Sequence, residues 1–127
     1  MIQGGDTMLS HKNTLHQGNV GLGIAISWFT MKGCIVSIPL NDIQEYDLVV
    51  DFGDCKPKLI QVKTTITKER SKYKVQLKTN GKSFKYNRSD YLFVVDGDGT
   101  KYLIPREEIK SSSAIALGDN YSQYICP

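Results

Sequence analysis

The chain has 127 residues, a net charge of +3, 40% hydrophobic and 23% charged residues, which suits one small globular domain with a modest core. No apolar run approaches membrane-spanning length and the N-terminus lacks a signal-peptide core, so no membrane partner is expected. The three cysteines have no C-x-x-C spacing, and an odd number argues against a disulfide framework. Both histidines, His11 and His16, lie far from the cysteines in sequence, which argues against zinc. A reduced, cytoplasmic setting fits this usage.

Residues Met1 to Lys12 are polar and contain glycine, and read as a flexible N-terminal arm; residues 13–127 read as a single domain. A helical pattern runs from Asn13 or Thr14 to Lys32, with Leu22, Ala25, Ile26 and Phe29 as its apolar stripe. Gly18, Gly21 and Gly23 weaken its first half, so that half is either irregular or closely packed. Gly33 is placed to end the helix as a C-cap. Strands are expected over Cys34–Pro39, Tyr46–Val50, Lys58–Thr64, Tyr73–Lys78, Tyr91–Val95, Lys101–Ile104 and Ala114–Leu117, with Tyr121–Ile125 closing the edge. Pro105 opens a short helix with Glu107 and Glu108 in its first turn. The order of elements gives an α+β domain, or α/β in the looser sense.

The stretch from Tyr46 to Thr65 holds the most unusual chemistry. It reads as two apolar strands joined by a turn with Gly53 and Pro57, yet Asp47, Gln61 and Lys63 interrupt them. Gln61 and Lys63 are two apart and share a face, and a hairpin about Asp54 and Cys55 sets Asp47 opposite residues 61–63. Two readings stay open. In one, Asp47 and Lys63 form a partly buried ion pair with Gln61 hydrogen-bonded nearby. In the other, Asp47 and the Gln61 side-chain oxygen hold a hard divalent cation, and Lys63 orients an attacking water or stabilises developing charge.

Charge is uneven. Eight lysines and two arginines face one acid, Glu69, between Lys58 and Arg88. Lys72, Lys74 and Lys78 recur on one face of a strand and continue through Lys82, Lys85 and Arg88, with Phe84 and Tyr86 interleaved. Such a stripe suits a phosphate backbone, so it is assigned to DNA binding.

The order G-x-x-G, helix, M-K-G, C-I-V-S-I-P, Y-D-L-V-V-D, I-Q-V-K-T-T resembles the PD-(D/E)XK nuclease superfamily. It is similar to the small branch that includes group I intron homing endonucleases and uncharacterised phage and bacterial relatives, whose last motif is Q-x-K. The likeness extends through Asp90–Val95, Tyr102–Pro105 and Ala116–Gly118. It implies a restriction-endonuclease-like core, a mixed β-sheet with an N-terminal helix on one face. It implies that Asp47 binds the metal, Gln61 stands where Asp or Glu is usual, the Val62 backbone carbonyl is a further ligand, and Lys63 is the catalytic lysine. Relatives carry a glutamate on the helix; counting back from Gly33, Leu22 takes its place, and Asp42 or Glu45 are candidates to compensate.

The function implied is a Mg²⁺- or Mn²⁺-dependent DNA endonuclease with Asp47, Gln61 and Lys63 as its catalytic core. The alternative is a catalytically inactive DNA-binding module that retains the nuclease fold. Cutting both strands of a duplex needs two such sites, so by analogy a homodimer or homotetramer is expected.

Overall fold

The computed structural model describes residues 14–41, 45–54, 56–78, 84 and 87–127. The arm expected over residues 1–12 lies outside that set, as do Asp42, Cys55, Lys82, Lys85 and Tyr86. Helix α1 spans Thr14–Met31. Gly33 ends it at φ +88°, with its N–H donating to Thr30 O (3.0 Å) and the Cys34 N–H to Phe29 O (3.0 Å). These two bonds satisfy carbonyls that the last helical turn would otherwise leave open.

The buried row of α1 is Gln17, Gly21, Ala25 and Phe29, one residue per turn at i, i+4. This corrects the expected stripe: Leu22 and Ile26 are half-buried and flank the contact. The glycines that weaken the helix divide by role. A Cβ on Gly21 would stand 2.2 Å from Thr64 Cγ2, whereas Gly18 and Gly23 have open space around them. Gly21 is thus where the helix backbone sits down on a strand.

That strand is β3 (Lys58–Thr65), in a five-stranded sheet with β1 (Ile35–Ser37), β2 (Leu48–Asp51), β6 (Tyr91–Asp96) and β7 (Lys101–Pro105), ordered β1-β2-β3-β6-β7. The sheet is mixed, because β3 and β6 run parallel while every other neighbouring pair is antiparallel. The connection from β3 to β6 carries β4 (Lys68–Glu69) and β5 (Lys72–Gln76), which join β8 (Ala114–Ala116) in a second, three-stranded sheet. The expected closing strand over Tyr121–Ile125 is instead a 3-10 turn, Ser122–Tyr124, followed by one bridge from Ile125 to Tyr102. Its three-residue spacing suits the Tyr121–Tyr124 turn better than a ladder. Arg106–Glu108 after Pro105 is also a 3-10 turn.

Two apolar clusters lie on opposite faces of the larger sheet. Phe93 and Val95 of β6 join Ala25 and Phe29 on the helix side, with Leu48, Val50 and Ile60. Leu92 and Val94 pack with Val75, Leu77, Ile115 and Leu117, on the side of the second sheet. Strand alternation carries the division across the sheet. No helix among the described residues is long and apolar enough to cross a membrane.

The contrast between two helical glycines tests the packing. Gly23→Ala adds a helix-favouring methyl in open space and is expected to stabilise by about 1 kcal/mol. Gly21→Ala meets Thr64 and is expected to destabilise by roughly 1–3 kcal/mol in spite of the same propensity gain. Denaturant melts of the two variants should shift in opposite directions; a shared upward shift would show that Thr64 yields freely.

Candidate active site

Asp47 stands one residue before β2, and the β2–β3 register, with Leu48 opposite Ile60, continues to set it opposite Gln61. Its N–H donates to Ile60 O (2.8 Å), and its Oδ2 accepts the Val62 N–H at 2.7 Å. A side-chain oxygen thus satisfies a main-chain donor where the ladder ends, which holds the carboxylate against β3. The sequence placed Asp47 opposite residues 61–63, and there it lies.

Ile60 and Val62 belong to the helix-side cluster, so Gln61 and Lys63 point to the other face of β3. The parallel register agrees: Gln61 pairs with Leu92 and Lys63 with Val94, both on the side of the second sheet. Leu22 packs with the helix-side cluster, on the face opposite Gln61 and Lys63. Two helix residues, Thr14 and Gln17, share a cleft with Lys63, and Gln17 is buried with its Nε2 donating to Thr64 Oγ1 (3.2 Å). Gln17, Lys63, Lys74 and Gln76 line one cleft of about 400 Å³ with Thr14 and the Thr64–Thr67 strand end.

Burial sets the electrostatics. It pushes the Asp47 carboxyl above the ordinary carboxylate value, against the opposing pull of the Val62 N–H and the Lys63 charge. It pushes the Lys63 ammonium below the ordinary lysine value, against the opposing effect of Asp47. Each charge is held in place by the other while burial disfavours both.

Gln61 is 7% exposed, and its Oε1 accepts a short hydrogen bond from Asn87 Nδ2. Asn87, also buried, donates to Glu45 O (2.9 Å) and accepts the Ser89 N–H on Oδ1 (2.8 Å). Sequence reasoning missed both Asn87 and Gln17. Polar side chains carry no apolar periodicity, and the one trace of Asn87 was an Asn two residues before a Ser N–H, an Asx-turn signature. Glu45, considered as a compensating ligand, is engaged by Arg88: Oε2 accepts from Arg88 N (2.9 Å) and Nε (3.3 Å). Asp42 lies outside the described residues.

The basic stripe is only partly laid out as expected. Lys72 and Lys78 are exposed, and Lys74 is half-buried with its Nζ 3.0 Å from Glu69 Oε2. Arg88 is tied to Glu45 and lies over the Tyr46 ring (5.9 Å to its centroid). Phe84 is 2% exposed and part of the core, so it does not interleave a surface. Lys82 and Lys85 lie outside the described residues.

A mixed sheet with a helix on one face, and an acid, an amide and a lysine brought together on two adjacent strands, defines a nuclease-like α+β protein. The chain belongs to the PD-(D/E)XK endonuclease family, whose model matches residues 12–117. Among solved structures, the bacterial homing endonuclease I-Ssp6803I shares the fold, with a TM-score of 0.76 over 91% of this chain and 88% of that one, at 23% identity. No curated protein is significantly similar in sequence.

Among the described residues, no three His, Cys, Asp or Glu side chains converge as a metal site. The donors available beside Asp47 are oxygens, namely its carboxylate, Gln61 Oε1 and the Val62 carbonyl. That set fits a hard divalent cation and carries a single formal negative charge.

The strained electrostatics predict a stability effect. In the unfolded chain Lys63 keeps its ordinary pKa, while in the folded chain it is lower, so between those two values the unfolded state binds more protons and stability rises with pH. Lys63→Met should flatten that slope below pH ~10 and, at neutral pH, lower Tm, because the Asp47 carboxylate is left buried without its counter-charge. Thermal melts across alkaline pH measure both; an unchanged slope would place Lys63 in solvent.

Proposed function

We propose that this protein is a divalent-metal-dependent DNA endonuclease whose catalytic core is Asp47, Gln61 and Lys63. The observation that carries the reading is the Asp47 carboxylate, fixed on the Val62 N–H beside a buried Gln61 oxygen and a half-buried Lys63. In a chain of this family, those side chains support phosphodiester hydrolysis better than an isolated ion pair.

Asp47, Gln61 Oε1 and the Val62 carbonyl would hold Mg²⁺ or Mn²⁺, which when bound supplies Lewis-acid polarisation of a phosphodiester and acidifies water. The chain's own residues do the rest. The Val62 N–H keeps the Asp47 carboxylate from turning into solvent, so little reorganisation is needed when a cation arrives. Lys63 lies on the same face as Gln61, where it would orient the attacking water or offset charge on the phosphoryl oxygens. Lys74 and Gln76, sharing a cleft with Lys63, are placed to meet the DNA backbone beside the cutting site.

DNA is the proposed partner. Lys72, Lys74, Lys78, Lys82, Lys85 and Arg88 would contact phosphates, and a homodimer or homotetramer would supply the second site for the second strand. Affinity for DNA should fall steeply with salt, and Lys72→Glu with Lys78→Glu should weaken binding to all sequences alike and flatten the salt slope. Filter binding at several salt concentrations checks this; a salt-independent interaction would remove the DNA surface.

The deciding experiment is a cleavage assay on mixed DNA substrates with Mg²⁺ or Mn²⁺ against EDTA. Wild type should cut only with metal, and Asp47→Ala and Lys63→Ala should each lower the rate at least ~10³-fold without unfolding the chain. Cutting that persists in EDTA, or an active Lys63→Ala protein, refutes the assigned roles. Metal-independent DNA binding with no cutting identifies a silent binding module.

A further inference from the structure

A carboxylate offers an oxygen to a cation whichever way it is turned, but a carboxamide offers one only in one of its two orientations. The other orientation presents N–H groups, which repel a cation. Gln61 therefore needs something that settles which end of its amide faces where, a requirement that a Glu or Asp at this position would not have.

Asn87 meets that requirement. Its own orientation is fixed by two backbone groups that cannot exchange roles. The Ser89 N–H can only donate, and it reaches Oδ1 at 2.8 Å; the Glu45 carbonyl can only accept, and it takes Nδ2 at 2.9 Å. Turning the Asn87 amide over would set oxygen against carbonyl and N–H against N–H. With Nδ2 fixed, its remaining hydrogen must meet an acceptor, and the group it meets is Gln61 Oε1. Both residues are at most 9% exposed, so water cannot readily stand in for a lost partner. Asn87 also bonds the chain at residue 45, two before Asp47, so one side chain joins Gln61 to the segment that leads into the carboxylate.

We propose that Asn87 is a positioning residue for the metal site: it locks the Gln61 carboxamide so that Oε1, with one lone pair on Asn87, keeps the other for the cation. This rests on the metal-dependent nuclease reading and adds a residue to it. The segment Asn87–Arg88 thereby ties the site together twice, once through Gln61 and once through the Arg88–Glu45 pair.

The test is a double-mutant cycle read by Mn²⁺ binding in calorimetry, without DNA. Asn87→Ala should weaken Mn²⁺ binding about tenfold in the otherwise wild-type chain, as loss of an orienting partner does. In the Gln61→Glu background, where either oxygen can ligate, the same Asn87→Ala change should leave affinity unchanged or raise it. Equal losses in both backgrounds would mean that Asn87 only supports the fold, and would overturn the proposal.

Since Asn87→Ala also removes bonds to residues 45 and 89, wild-type protein gives a second reading. On Mg²⁺ titration, the side-chain amide ¹⁵N signal of Gln61 should shift together with that of Asn87. A Gln61 signal that stays still while backbone signals around Asp47 move would overturn the Asn87 role together with Gln61 as a ligand, and leave standing a metal-dependent nuclease centred on Asp47. Wild type that binds no Mn²⁺, or an Asp47→Asn variant that binds like wild type, would overturn both.

Discussion

β3 is packed on both faces, and each face makes a different demand on it. On one, Thr64 lies against the bare backbone of Gly21, and Ile60 and Val62 join the apolar helix-side cluster. On the other, Gln61 and Lys63 emerge with no aliphatic choice open to them if the site is to work. A one-residue slip of β3 would send Gln61 and Lys63 into the helix contact and Ile60 and Val62 into the polar cleft, so each face fixes the register of the other. The Asp47 carboxylate reinforces that register from the neighbouring strand, because only the observed alignment delivers the Val62 N–H to it.

The same arrangement costs stability. Burial works against ionisation of both Asp47 and Lys63, and neither charge is relieved by moving into water without losing its place. An apolar hairpin would pack as well or better. The polar groups are therefore better explained by chemistry than by packing, and membership of an endonuclease family agrees with that direction. Single-charge donor sets bind divalent cations weakly, so fixing the donors in advance matters more here than in a site with several carboxylates. In the proposed site the Val62 N–H would do this for Asp47, and Asn87 for Gln61.

The hairpin, its register and the shared face of Gln61 and Lys63 were legible in the sequence, because strand alternation is a short-range rule and the apolar residues around these three positions obey it. The helix was legible in its span and in its Gly33 end, but its buried face was not. Gln17 and Gly21 occupy the tightest positions, where a hydrophobic count sees nothing, and Leu22 and Ile26 drew the stripe to the flank. Asn87 was hidden for a different reason. Its partners are 26 and 42 residues away in sequence, and hydrogen bonds between distant polar groups leave no periodic trace. The parallel pairing of β3 with β6 was likewise invisible locally, since it depends on a crossover made of a second small sheet in place of a helix.

The central claim is that a divalent cation binds at Asp47 and Gln61, on the face of β3 opposite α1. Crystals soaked in millimolar Mn²⁺ and measured for anomalous scattering locate the ion directly. A single peak within ligand distance of the Asp47 carboxylate and Gln61 Oε1, lost in Asp47→Ala crystals, is the result predicted. A peak elsewhere on the molecule, or no ordered peak at Asp47, would contradict it.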